Sequence, residues 1–356
     1  MVTVSLCMIV KDEEDVLARC LESAADLVDE IVIVDTGSTD RTREIAERFT
    51  SRIYHFDWID DFAAARNYAF SLAGKDFCMW LDADDVLLDG DRAAFRELKE
   101  TLDPAVGVVM AKYNTGFDEN GTVTFSYFRE RLIKNHAGMR WEGAVHEAIA
   151  PAGRVVYGEF AVTHRKLHPS DPDRNLRIYE KQRERGVELD PRQQFYYGRE
   201  LYYHQRYEEA VRVLERFLDE GRGWVENNID ACCQCAYCYE RLDRPEQALL
   251  RSFAYDRPRA EVCCELGRWF FQREELSLAA YWYTLALTCA RDDRRGGFVS
   301  PDCYGYLPCI QLCVCYSRLG DLERAAQMNE LAASFKPDAD AVLHNRAFFQ
   351  SLTANT

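Results

Sequence analysis

Residues Phe77–Leu88 read FCMWLDADDVLL, an apolar run that ends in three carboxylates within four residues. An unbroken apolar strand usually lies in the middle of a sheet, covered on both faces. Its last residues then emerge at the carboxyl edge, where open α/β folds bind ligands. At that edge Asp82, Asp84 and Asp85 repel one another unless a cation or hydrogen-bond donors compensate them. A turn with helix-capping aspartates is the plainer account of the same stretch. The flanking segments decide between the two.

Upstream, strand-like runs VSLCMIV (4–10), EIVIVD (30–35) and RIYHFDW (52–58) alternate with helix-like segments EEDVLARCLESAA (13–25), TREIAERFT (42–50) and DFAAARNYAFSLA (61–73). This alternation implies βαβ units and a parallel, doubly wound sheet. Asp12 is expected to cap the first helix and Ser38 the second. One more helix, RAAFRELKETL (92–102), precedes a change to strands: GVVMAKYNTGF, GTVTFSYFRERLI and RVVYGEFAVTHRK, within 107–166. The DENG turn (118–121) marks a hairpin among them. A mostly parallel sheet with antiparallel additions is therefore expected over 1–168.

Two prolines in HPSDPDRN (168–175) mark a boundary. Beyond it, Gly198, Leu201, Ala210 and Leu214 have the offsets of a helix-turn-helix repeat. The offsets return at Ala236, Tyr239, Ala248 and Ser252, then at Gly267, Phe270, Ala279 and Tyr283, and at Cys313, Tyr316, Ala325 and Asn329. A small residue at the helix crossing, a bulky one three later and an alanine nine further on is tetratricopeptide logic. The spacing is irregular, with the longest interval holding the loop 290–307. Four such repeats and a closing helix near 338–350 predict an all-α solenoid over 169–356, whose concave face is a binding surface.

A formal net charge of −16 argues against nucleic acid or an anionic membrane surface as the main partner. No apolar run approaches the roughly 20 residues that span a bilayer. The start lacks the basic residues and cleavage site of a signal peptide, so residues 2–10 read as a first strand. The fourteen cysteines sit in helical patterns of a chain too large for a disulfide scaffold. Reduced thiols in a cytoplasmic protein are expected. CCQCAYC (232–238) resembles a zinc site only in density. It lies in one helix where repeats need small residues, and reads as core thiols.

Other strands also end in polar groups: Lys11-Asp12-Glu13, Asp35-Thr36-Gly37-Ser38 and Asp57. Arg66 precedes the Asp82–Asp85 strand and is placed to approach its carboxylates or a bound phosphate.

With these segments in this order and spacing, SLCMIVKDEE, EIVIVDTGSTDRT, FAAARNYA and WLDADD resemble the nucleotide-sugar half of a family 2 glycosyltransferase of the GT-A fold. MRWEGAVHEAI, VTHRKL and the helical repeats resemble a bacterial subgroup with a C-terminal tetratricopeptide domain, which includes peptide S-glycosyltransferases. The resemblance implies a Rossmann-like GT-A domain at 1–168 followed by the solenoid. It implies that Val10 and Asp12 line the nucleotide pocket, that Asp35 accepts from uracil and that Arg66 meets base or diphosphate. Asp82 would contact ribose or metal, and Asp84 would ligate Mg²⁺ or Mn²⁺. An inverting transfer needs a base. A plain ED motif is missing, so Glu147 is the first candidate and Glu142 the second, while His146 and His164 orient the diphosphate or touch the metal.

The implied activity moves a sugar from a UDP-sugar to a peptide, protein or glycan acceptor recognised partly by the repeats. A homo-oligomer is compatible with the sequence. A scaffold that binds nucleotide-sugar without turnover is the alternative. A nucleotidyltransferase would need a glycine-rich basic loop where MIVKDEED is acidic.

Overall fold

The computed structural model describes residues 1–356 other than 120, 168–170, 242–247 and 354–356. They form two compact units, Met1–Tyr197 and Gly198–Thr356.

The first unit opens as the alternation predicts: β1 (Val4–Val10), α1 (Leu17–Ala24), β2 (Glu30–Asp35), α2 (Thr42–Glu47), β3 (Ile53–His55), α3 (Phe62–Ser71) and β4 (Phe77–Trp80). Then come β5 (Asp85–Val86), α4 (Asp89–Thr101), β6 (Val106–Phe117), β7 (Val123–Lys134), β8 (Trp141–Glu142), β9 (Ala148–Ile149), β10 (Arg154–His164) and α5 (Arg174–Glu184). Eight strands make one sheet in the order β3-β2-β1-β4-β7-β6-β10-β5. β1 to β4 are mutually parallel, whereas β7 runs antiparallel to both β4 and β6. Successive side chains of a strand point to opposite faces. Val4, Leu6, Met8 and Val10 accordingly enter one core and Cys7 the other. That double burial explains the unbroken apolar runs.

Two local expectations change. Asp12 does not cap α1, whose N-cap is Val16, and Ser38 does not cap α2, whose N-cap is Arg41. Both helices start later than the strand ends suggest. Asp12, with φ +52°, instead accepts hydrogen bonds from Thr39 N and Oγ1, and its own N–H donates to Ser38 Oγ. The two residues thus stitch the β1 loop to the β2 loop. At the DENG turn Gly121 N–H donates to Asp118 O at 3.0 Å, and Asn120 lies outside the described residues.

The first unit runs past 168, and residues 168–170 of the boundary stretch lie outside the described residues. Helix α5 belongs to it because Tyr179, fully buried, donates to Val145 O, and Lys181 pairs with Asp60 at 2.7 Å.

The second unit is helical. From Gly198, within α6 (Pro191–Tyr203), it continues through α7 (Tyr207–Glu220), α8 (Val225–Arg241), α9 (Ala248–Arg251), α10 (Ala260–Gln272), α11 (Leu276–Ala286), α12 (Tyr306–Arg318), α13 (Leu322–Phe335) and α14 (Asp340–Thr353). A β-carbon at Gly198 would meet Leu214 at 2.5 Å, and one at Gly267 would meet Tyr283 at 2.8 Å. Those are the small-residue crossings that the repeat pattern requires. Ala210, Ala279 and Ala325 are fully buried. In the second repeat α9 is described over Ala248–Arg251, and 242–247 lie outside the described residues. Cys232, Cys233, Cys235 and Cys238 are all buried in α8.

Candidate active site

Every parallel strand delivers its carboxyl end to the same edge, and a cleft of about 770 Å³ opens there. Val10, Asp12, Arg66, Asp82, Asp84, His146, Glu147 and His164 all line it. Asp35 stands one residue before the lining Thr36 and turns Oδ1 to accept from Ser38 N at 3.0 Å. Glu142 is exposed on β8 and is not among the lining residues.

Arg66 organises one side. Asp61 caps α3 by accepting from Ala64 N, which fixes the start of the helix that carries it. The guanidinium lies 4.8 Å from the Trp80 ring centroid and 5.1 Å from that of Trp141. It donates from Nη2 to Asp82 Oδ1 at 2.7 Å and from Nε to Glu147 Oε1 at 2.6 Å. Burial works against ionisation of Asp82, but Arg66 outweighs it and holds the carboxyl below its ordinary range. Arg66 Nη1 is buried with no partner among the described residues.

Asp84, Asp85 and His164 form the other side. One ligand atom from each lies within 4.8 Å of the others, the one such group among the described residues. His164 Nδ1 is 3.3 Å from both Asp84 Oδ1 and Asp85 Oδ1. Burial alone would lower the His164 pKa, yet its bonds to the two carboxylates dominate and raise it to about 10. The imidazolium thus supplies positive charge to the paired acids, and to ligate a metal it would have to give up that proton. Two carboxylates and an imidazole suit a divalent cation such as Mn²⁺ or Mg²⁺. Asp82 contributes to Arg66 rather than to this group, and His146, with φ +53°, stacks on the Tyr196 ring at 4.2 Å.

Sequence reasoning missed the support behind Asp85. That residue is wholly buried, accepts from Tyr113 Oη at 2.9 Å and faces Arg131 Nη1 at 3.5 Å. Arg131, equally buried, is held between the rings of Trp80 and Tyr113 at 3.8 and 4.3 Å. The register of β7 explains its position: Val109 pairs with Leu132 but Met110 with Glu130, so Arg131 is bulged. Bulges re-aim side chains beside active sites. The visible signal was the charged run Arg129-Glu130-Arg131 directly before the apolar Leu132-Ile133 of the same strand. Glu13 was named at the end of the first strand but given no role. Burial, with Asp84 and Asp82 adding to it, pushes its carboxyl up to about 7.

The model of glycosyl transferase family 2 matches residues 5–167, the segment that builds this sheet edge. Relatives of this chain include a TPR repeat-containing protein of Synechococcus elongatus, 41% identical over 42% of this chain and 36% of the relative. The SPbeta prophage-derived glycosyltransferase SunS of Bacillus subtilis is 25% identical over 61% of this chain and 53% of its own length. The lipopolysaccharide core biosynthesis glycosyltransferase LpsC of Rhizobium meliloti is 31% identical over 42% of this chain and 58% of its own. The chain therefore spans between about a third and three-fifths of these relatives. Among solved structures, glucosyl-3-phosphoglycerate synthase of Mycobacterium tuberculosis with Mn²⁺ and UDP-glucose aligns at TM-score 0.35 and 13% identity, over 53% of this chain and 81% of that one. No described helix is long and apolar enough to cross a membrane.

Proposed function

We propose that this chain is a metal-dependent, inverting glycosyltransferase that moves a sugar from a UDP-sugar to a peptide, protein or glycan acceptor recognised in part by the helical repeats. The observation that carries the reading is the pairing of two constellations in one cleft: Asp82–Arg66–Glu147 and Asp84–Asp85–His164. The family 2 match supports the reaction class. The names of two relatives, a glycosyltransferase and a lipopolysaccharide core glycosyltransferase, support it further.

Asp84 and His164, backed by Asp85, would hold Mg²⁺ or Mn²⁺. Once bound, the cation offsets charge developing on the departing nucleoside diphosphate. Asp82 takes the donor's ribose side and Arg66 a diphosphate oxygen, a role its unpartnered Nη1 supports. Val10 and Asp12 frame the nucleotide, and Asp35 lies beneath it. Glu147 takes the acceptor's proton on its carboxylate, while Arg66 keeps that carboxylate aimed into the cleft. The free thiols of all fourteen cysteines support a reducing, cytoplasmic setting.

The test is release of UDP from a panel of UDP-sugars by the full chain with Mn²⁺ and water as acceptor. One UDP-sugar hydrolysed, and silenced by EDTA, is the expected result. Binding of a UDP-sugar without any release would favour a nucleotide-sugar scaffold.

A further inference from the structure

Glu147 sits on the turn between two short strands. β8 and β9 pair through Trp141 with Ile149 and Glu142 with Ala148, and residues 143–147 join them. Gly143 at φ +93° and His146 at φ +53° bend the chain there. Buried main-chain carbonyls need hydrogen-bond donors, and here the donors come from elsewhere in the first unit. Four successive carbonyls are met from four different elements. Phe62 N of α3 donates to Ala144 O at 2.9 Å, and Tyr179 Oη of α5 donates to Val145 O at 3.4 Å. Arg192 Nε of α6 donates to His146 O at 3.1 Å, and Arg129 Nη2 of β7 donates to Glu147 O at 3.3 Å.

Arg129 is the donor that reaches the main chain of Glu147 itself. Its guanidinium grips the Glu130 carboxylate twice, from Nε to Oε2 at 3.3 Å and from Nη2 to Oε1 at 3.2 Å. It also lies 4.9 Å from the Trp80 ring centroid. Glu130 is buried, and its Oε1 accepts from Ile149 N at 3.2 Å. The pair therefore holds the chain at the Glu147 carbonyl and again at the amide two residues on. The Glu147 carboxylate is held separately, by Arg66 Nε at 2.6 Å. Two different arginines thus fix the main chain and the side chain of one residue.

We propose that Arg129 is a positioning residue for the transfer: with Glu130 it fixes the 143–147 turn, so that the Glu147 carboxylate is presented in one place. The inference rests on Glu147 being the base. Arg129 also lines the cleft, so direct contact with the donor's diphosphate is the competing role. Kinetics separate the two. A diphosphate contact made in the ground state raises KM when it is lost, whereas a residue that acts through the base lowers kcat alone.

The experiment compares Arg129→Gln, Glu147→Gln and the double variant in the full chain, by steady-state UDP release from the UDP-sugar that the wild type hydrolyses with Mn²⁺. Arg129→Gln should lower kcat about 10²-fold, the loss that a displacement of ~1 Å produces. KM, and calorimetric affinity for UDP with Mn²⁺, should stay at wild-type values. In the Glu147→Gln background the same substitution should cost nothing further, because residues that act as a unit are not additive. Hydrogen exchange of the 144–149 amides, which needs no substrate, should quicken in Arg129→Gln. Arg129→Lys keeps a cation beside Glu130 and replaces Arg129→Gln should that variant fail to fold, with the same pattern expected. An unchanged kcat, a raised KM, weakened UDP binding or an equal loss in the Glu147→Gln background would overturn the proposal. Full activity of Glu147→Gln alone would overturn the base assignment and this proposal with it. Unchanged exchange in Arg129→Gln would show separately that Arg129 does not hold the turn.

Discussion

Arg66 touches both halves of the chemistry assigned to the cleft, binding Asp82 with one nitrogen and Glu147 with another. A carboxylate held this way is pre-aimed, which is the larger part of what a positioned base contributes. Glu147→Gln keeps an oxygen for Arg66 but removes the proton acceptor. It should lower kcat for UDP-sugar hydrolysis by about 10²–10⁴-fold with KM little changed. Glu142→Gln, at an exposed site, should retain wild-type rates. Steady-state UDP-release kinetics measure both, and equal losses would deny Glu147 its role. Glu13 offers a second residue-scale test. Its carboxyl is raised from 4.5 to about 7, so the folded state favours the protonated form and loses stability as pH rises through that window. In EDTA, Glu13→Gln should flatten the fall in melting temperature between pH 5 and 8. Parallel curves for the two proteins would show that Glu13 is not raised.

The elements that carry the site were readable because burial leaves a period in the sequence. β1, β2 and β4 alternate between two cores, which makes them continuous apolar runs with polar ends. The helical crossings were readable for the same reason, since Gly198 and Gly267 leave room that only a small residue permits. Pairing between distant elements leaves no such period. Asp85 facing Arg131 depends on a bulge in β7, and a bulge follows from strand register rather than from local composition. The caps expected at Asp12 and Ser38 failed likewise, because both residues found partners across the two loops. The Asp85–Arg131 pair yields a prediction for its element. Arg131→Met removes the wholly buried partner of Asp85 and leaves it only the half-buried His164, at a cost of up to about 3–5 kcal/mol. Hydrogen exchange of the β4 amides should quicken by up to ~100-fold at about 3 kcal/mol, and adding Asp85→Asn should recover part of the protection. Unchanged exchange would mean the pair carries no structural weight.

Across the whole molecule, the chain combines an acidic overall balance with a cleft that concentrates both carboxylates and buried cations. An acidic surface at net charge −16 discourages polyanionic partners. The proposed diphosphate still has locally fixed positive groups to meet in the cleft, Arg66 above all. The molecule as a whole should therefore bind UDP-sugar only when a divalent cation is present to balance Asp84 and Asp85. Calorimetric titration of the full chain with UDP-glucose and other UDP-sugars, with and without Mn²⁺, tests this most directly. The account predicts saturable one-site binding of a UDP-sugar that appears with Mn²⁺ and disappears in EDTA and in Asp84→Asn. Equal affinity with and without the metal, or undiminished binding by Asp84→Asn, would contradict it.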